Sequence, residues 1–197
     1  GMSREREDVR GEGRGGFHPG GIGSSLASAA PPLPRNRIAM ADDLLFMPAL
    51  RAAALIRARK LSPLEYVDAL LAAITPTQAR LNCFTAVLAG QARDEARRAE
   101  AAVTAGQPLG PLHGVPVTIK DLVDVAGVRT THGSAIFADS APAAADDVLV
   151  GRLRAAGAII LAKTTTPELG VKGLTDGPSF GVTRNPWNLG RTCGGSS

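Results

Sequence analysis

The apolar positions of this chain fall into blocks whose spacing alternates between helical and strand-like. Leu44, Leu45, Leu50, Ala54 and Leu55 recur at helical spacing, with Arg51, Arg57 and Arg59 outside the stripe. Ser62-Pro63-Leu64-Glu65 then marks a helix start. Serine caps, proline takes the first helical position, and glutamate stands where a capping box puts it. The predicted helix runs over 63–74, with Leu64, Val67, Leu70, Leu71 and Ile74 as its stripe and Thr75-Pro76 as its end. Two amphipathic helices in series suit a partner-binding module too, but packing against the same domain is the simpler use.

Asn82 to Val87 reads as a short strand. Gln91 to Thr104, rich in Ala, Arg and Glu, reads as a helix that is polar on most faces. Residues 106–110 are a loop. Val115 to Ile119 is an apolar, β-rich run of the kind found in the middle of a sheet, with Pro116 placed near its start because proline donates no ladder hydrogen bond. Residues 121–128 continue as turn or strand, and Thr130 to Ser134 form a polar turn. Asp146-Asp147 opens a helix whose apolar face is expected at Val148, Leu149, Leu153 and Ala156, and Gly157 closes it. Ala158 to Ala162 is then a buried strand. Strand, helix and strand in this order predict a parallel crossover and hence an α/β sheet. Residues 164–197 show little periodicity and read as a long loop of the functional kind.

Composition changes this picture at one end. Residues 1–39 are Gly, Arg, Ser and Pro without periodicity, a mixture that cannot bury enough apolar surface to offset its ordering entropy. They are expected to be a disordered extension, with the domain occupying 40–197 and Met40 as an alternative start. The net charge of +4 does not argue for nucleic acid. Six arginines against four acidic residues place half of it in that extension, where only Phe17 could stack on a base. The chain shows neither a secretory leader nor an apolar run long enough to span a membrane. Cys83 and Cys193 are expected as free thiols in a cytoplasmic protein.

The chemistry gathers at two places. Lys120 ends the apolar run Val115-Pro116-Val117-Thr118-Ile119, and Gly194-Gly195-Ser196-Ser197 sets two hydroxyls beside bare backbone. By composition alone Lys120 would be a strand-end lysine snorkelling to water, and the serines part of an ordinary flexible segment. A desolvated lysine can also act as a neutral base, and a serine beside such a lysine is a known nucleophile arrangement. Lys163 stands at the end of its own strand and is read as structural. Cys193 is expected to fill space, and Trp187 to anchor packing. His18, His113 and His132 have no metal-ligand spacing, and the glycine-serine turn lacks the lysine of a phosphate loop.

Gly114-Val115-Pro116-Val117-Thr118-Ile119-Lys120-Asp121, Thr166-Pro167-Glu168-Leu169-Gly170, Phe180 to Asn188 and Gly194 to Ser197 together resemble, in order and spacing, the front part of the amidase signature family. The resemblance covers roughly Asp42 to Ser197. It implies a mixed, mostly parallel α/β sheet with flanking helices, of which this chain would hold an incomplete share. It implies hydrolysis of a small-molecule carboxylic amide, without metal or cofactor. Lys120 matches the family's lysine base and Ser196 its bridging serine. The nucleophilic serine and the oxyanion donors belong to a later glycine-rich segment that these residues do not contain. A neutral lysine base implies activity that rises with pH. The resemblance puts a cis peptide before Ser196 in an intact domain. With the later segment absent, a trans or disordered bond is expected here. The A subunit of glutamyl-tRNA amidotransferase shares these motifs and stays open as an alternative, as does a non-enzymatic short form acting as a binding module. The oligomeric state, a homo-oligomer included, stays open.

Overall fold

The computed structural model describes residues 44–196, so the extension predicted for 1–39 and the boundary at Met40 lie outside the described residues. The elements in chain order are α1 (Ala49–Arg57), α2 (Pro63–Leu81), β1 (Phe84–Val87), α3 (Ala89–Thr104), β2 (Pro116–Lys120), α4 (Val148–Ala155), β3 (Ile159–Thr164), β4 (Arg184–Asn185) and β5 (Asn188–Thr192). β1, β3 and β2 form one sheet in that spatial order, and β4 pairs with β5 in a separate two-stranded ribbon.

The crossover predicted from the sequence is present. β2 and β3 are parallel, joined through α4, while β1 runs antiparallel to β3, so the sheet is mixed. Val115 to Ile119 was expected in the middle of the sheet. Among the described residues the middle strand is instead β3, and β2 lies beside it on one side only. Pro116 is the first residue of β2, where its missing N–H removes no interior ladder bond.

β3 is the hub because its alternating side chains enter two cores. Ile159 and Leu161 pack with Val67, Leu71 and Ile74 of α2 and with Ala92, Ala96 and Ala99 of α3. Ile160 packs on the other side with Ile119, Val125 and Val150. A third cluster joins Ala52, Ala53 and Ile56 of α1 to Leu61, Tyr66, Val103 and Val115. Each fully buried Ile or Val contributes about 1.5–3 kcal/mol relative to exposure. The alanines of α3 contribute less apiece, but their small size lets α2 and β3 approach closely.

Ser62 caps α2 as the sequence indicates, its Oγ accepting from the Glu65 amide at 3.2 Å. Pro76 does not end this helix, which continues through it to Leu81. The end is set instead by Asn82, left-handed at φ 52°, and by Gln78. Gln78 Oε1 accepts from the amides of Cys83 and Phe84 at 3.0 and 2.8 Å, taking over donors that would otherwise be unpaired at the turn into β1.

Two helix faces also differ from the stripes read in sequence. α1 begins after Pro48, which turns Ala52, Ala53 and Ile56 inward and leaves Leu50 81% exposed. In α4, Val148 and Leu149 are exposed and Val150 is the buried residue. The Asp147 side chain caps α4 by accepting from the Leu149 amide at 2.8 Å, and Val150 packs with Ile119, Val125 and Ile160. Gly157 follows α4 with φ +89°, and a Cβ there would lie 2.8 Å from His113 Cα, so both the turn and the close approach require glycine. Among the described residues no helix is long and apolar enough to cross a membrane.

Candidate active site

The parallel register sets Lys120 and Lys163 near the same end of neighbouring strands. Ile119 lies opposite Lys163 and Lys120 opposite Thr164, and the ladder extends one step further as the Asp121 amide donates to the Thr164 carbonyl at 3.0 Å. Lys120, the last residue of β2, is partly buried, and its Nζ donates to Ser196 Oγ at 3.3 Å. Seventy-six positions of sequence separate the two residues. The Gly195–Ser196 peptide bond is cis, which overturns the expectation of a trans or disordered bond.

Ser196 is held there by a ladder of polar contacts reaching back to the C-terminus of α2. The Thr183 hydroxyl donates to the Asn82 carbonyl at 2.7 Å, and the Thr183 amide to the Thr175 carbonyl at 2.9 Å. The Thr175 hydroxyl donates to the Gly194 carbonyl at 2.7 Å, and the Cys193 amide to the Thr183 carbonyl at 3.1 Å. The segment read as a long functional loop over 164–197 therefore also contains the β4–β5 ribbon and two buried threonines, Thr175 and Thr183. They pin the strand that delivers Ser196.

Asp121 is the buried centre of the site and carries no role in the sequence-based reading beyond membership of its motif. It is 1% exposed, and its Oδ1 lies 2.7 Å from Lys163 Nζ. Its Oδ2 accepts from the Thr131 hydroxyl at 2.5 Å. Lys163 is fully buried and donates also to Thr130 Oγ1 at 2.7 Å and the Arg129 carbonyl at 3.0 Å. The ammonium has three donors, and the three partners use them all. No signal for this pair is visible in the sequence, where a lysine at the end of an apolar run reads as one that snorkels to water.

On the facing segment, Glu168 accepts from the Ser134 hydroxyl at 2.9 Å, and Lys172 lies 3.8 Å from Glu168 and 3.7 Å from Asp176. A cavity of about 450 Å³ borders Asp121 and Thr131 and is lined further by Phe84, Thr85 and Phe180. An apolar groove of about 580 Å³, lined by Phe46, Tyr66, Val117 and Leu161 among others, does not include Lys120 or Ser196.

The remaining candidates fall away from this centre. Trp187 is 92% exposed in the turn of the β4–β5 ribbon, so it is no packing anchor among the described residues. Cys193, expected to fill space, is exposed, and both cysteines are free thiols. His132 packs edge-on against Phe137, and His113 Nε2 meets the Ala99 carbonyl at 2.9 Å. Among the described residues no group of three His, Cys, Asp or Glu side chains is placed to hold a metal ion.

The amine–hydroxyl pair of Lys120 and Ser196 is a geometry suited to passing a proton. The chain that carries this pair is similar to known proteins. The family model described as Amidase matches residues 65–197. An acylamidase of Rhodococcus erythropolis is 41% identical over 156 residues, covering 79% of this chain and 32% of that protein. The A subunit of a glutamyl-tRNA(Gln) amidotransferase from Salinispora tropica is 42% identical over 154 residues, covering 78% of this chain and 31% of that protein. The crystal structure of a bacterial aryl acylamidase of the amidase signature enzymes superposes with a TM-score of 0.74 at 30% identity, over 78% of this chain and 32% of that one. The chain thus spans about a third of the length of the relatives it matches. On sequence and fold together, the chain belongs to the amidase signature family.

Proposed function

We propose that the protein hydrolyses a carboxylic amide to acid and amine through a serine acyl-enzyme. In this reading Lys120 is the base and Ser196 the bridging hydroxyl of a Ser–Ser–Lys relay. The observation that carries the reading is the 3.3 Å contact from Lys120 Nζ to Ser196 Oγ. A downstream serine, brought by the rest of the family domain, attacks the carbonyl and forms the acyl-enzyme. Its proton passes through Ser196 to Lys120 and returns to the leaving amine, and water then releases the acid. Residues 1–197 alone hold the base and the bridge but not the attacking serine, so they bind or position and do not turn over. The substrate is a small-molecule amide and the compartment the cytoplasm.

The test is turnover of a panel of simple and aryl amides by protein that includes the downstream segment. Lys120→Ala and Ser196→Ala should each lower kcat about 10²–10⁴-fold, the usual span for a lost proton-transfer group. Unchanged kcat in Lys120→Ala sinks the reading. The 42% identity to an amidotransferase A subunit supports a second reading, in which the amide is glutamine and the ammonia passes to a partner's product. Glutaminase activity that appears only with co-purified partner subunits distinguishes it from an independent amidase.

A further inference from the structure

The turn over residues 167–170 meets both Gly195 and Ser196. At its start, Pro167 Cγ lies 2.6 Å from where a Cβ on Gly195 would stand. At its end, a Cβ built on Gly170 would lie 3.7 Å from Ser196 Oγ, the atom that accepts from Lys120 Nζ at 3.3 Å. Between the two stands Leu169, left-handed at φ 53°. Such a backbone is unfavourable for a residue with a side chain and persists only where the surroundings hold it. The Leu169 side chain does not supply that hold, since it is 52% exposed among the described residues. The facing turn over residues 131–134 does. The His132 carbonyl accepts from the Leu169 amide at 2.7 Å, and the Ser134 hydroxyl donates to Glu168 Oε1 at 2.9 Å.

The facing turn is itself anchored in the interior. The Thr131 hydroxyl donates to Asp121 Oδ2 at 2.5 Å and accepts from the Gly133 amide at 3.2 Å, and Asp121 is paired with buried Lys163. Ser134 is 1% exposed, so its hydroxyl reaches Glu168 from a fixed, dry position. The second Glu168 oxygen lies 3.8 Å from Lys172 Nζ. A hydrogen bond to an ionised acceptor is among the stronger ones a side chain makes. We infer that Glu168 is a positioning residue: through its bond with Ser134 it holds the 167–170 turn against Gly195 and Ser196, and so keeps the Ser196 hydroxyl on Lys120. The inference takes its catalytic meaning from the reading of Lys120 and Ser196 as a relay, but its test observes the pair itself and needs no turnover.

The test is NMR of the isotope-labelled 197-residue chain. In the parent, the Lys120 Hε and Ser196 Hβ protons should give a nuclear Overhauser cross-peak, and the Leu169 amide should exchange slowly with solvent. Glu168→Ala and Ser134→Ala should each speed Leu169 exchange about tenfold, roughly the worth of one hydrogen bond to a charged group. Each should also weaken the Lys120–Ser196 cross-peak by about half or more. Glu168→Gln keeps an acceptor oxygen for Ser134 and should keep both signals. The amides of β3, which report opening of the whole sheet, should keep their rates in all three variants. A purely structural Glu168 would instead speed β3 and Leu169 together and leave the cross-peak of the folded chain intact. That pattern overturns the inference. So does an unmoved Leu169 rate or cross-peak in Glu168→Ala, equal loss in Glu168→Gln, or the lack of a cross-peak in the parent. If Ser134→Ala does not fold, Glu168→Ala, whose side chain is 32% exposed in the parent, carries the test with Glu168→Gln. Failure here leaves the amidase reading standing, and a failed amidase assay leaves this inference standing.

Discussion

Gly195 lies so close to Pro167 that a Cβ built on it would sit 2.6 Å from the proline Cγ. The same Cβ would lie 3.1 Å from the Lys172 carbonyl oxygen and 3.3 Å from the Leu174 amide nitrogen. The residue before Ser196 is therefore glycine for lack of room. Gly195→Ala must push this segment off Pro167, and overpacking of this kind costs about 1–3 kcal/mol. A lower melting temperature together with reduced turnover in the extended protein is the expected result. Unchanged melting would show that the segment shifts freely.

Removing one partner of the Asp121–Lys163 pair strands a charge in the interior. Lys163→Met is expected to lower stability by about 3–5 kcal/mol, and adding Asp121→Asn to recover much of that loss. Urea denaturation of the three variants measures both steps. Additive losses in the double variant would mean that the two side chains do not depend on each other.

The two thiols differ in setting. Burial raises the Cys83 thiol above its ordinary value, outweighing a lowering backbone hydrogen bond, whereas Cys193 is exposed. A raised thiol holds less thiolate at a given pH and so reacts more slowly. Ellman's reagent at neutral to mildly alkaline pH should titrate one thiol quickly, identified as Cys193 by its loss in Cys193→Ser. The slow phase, from Cys83, should accelerate with pH. A fast phase that survives Cys193→Ser contradicts the assignment.

Trp187 makes a negative prediction. At 92% exposure its truncation to alanine removes almost no packing from the described residues, so stability of the 197-residue chain should stay within about 0.5 kcal/mol. Its fluorescence, from the sole tryptophan, should already be that of a water-exposed indole in the native chain. A blue-shifted spectrum would place the ring in an apolar contact.

Much of the fold was legible in the one-dimensional pattern, for local reasons. Ser62-Pro63-Leu64-Glu65 specifies a helix start through the residues' own backbone preferences, and the structure has that cap. Asp147 and Gly157 bracket α4 in the same way. The apolar runs ending at Lys120 and Ala162 read as strands and are strands, the second buried and the first only partly so, and the helix between them goes with their parallel pairing. Lys120 and Ser196 were named from motif spacing, and the structure brings them within hydrogen-bond distance.

What the pattern left undecided depended on partners distant in sequence. The helix continues past Pro76 because Ile74 is buried against the sheet and Gln78 closes the end, neither of which a proline rule can weigh. Leu50 and Val148 face outward because Ala52, Ala53 and Ile56 of α1 pack with Tyr66, Val103 and Val115, and Val150 of α4 packs with Ile119 and Ile160, all distant in sequence. The Asp121–Lys163 pair exists only when β2 and β3 lie in parallel register, since the two residues are far apart in sequence and only the sheet makes them neighbours. Local preferences thus determined where helices and strands begin, while the tertiary structure alone decided which faces are buried and which charges meet, because burial and pairing are properties of the assembled sheet.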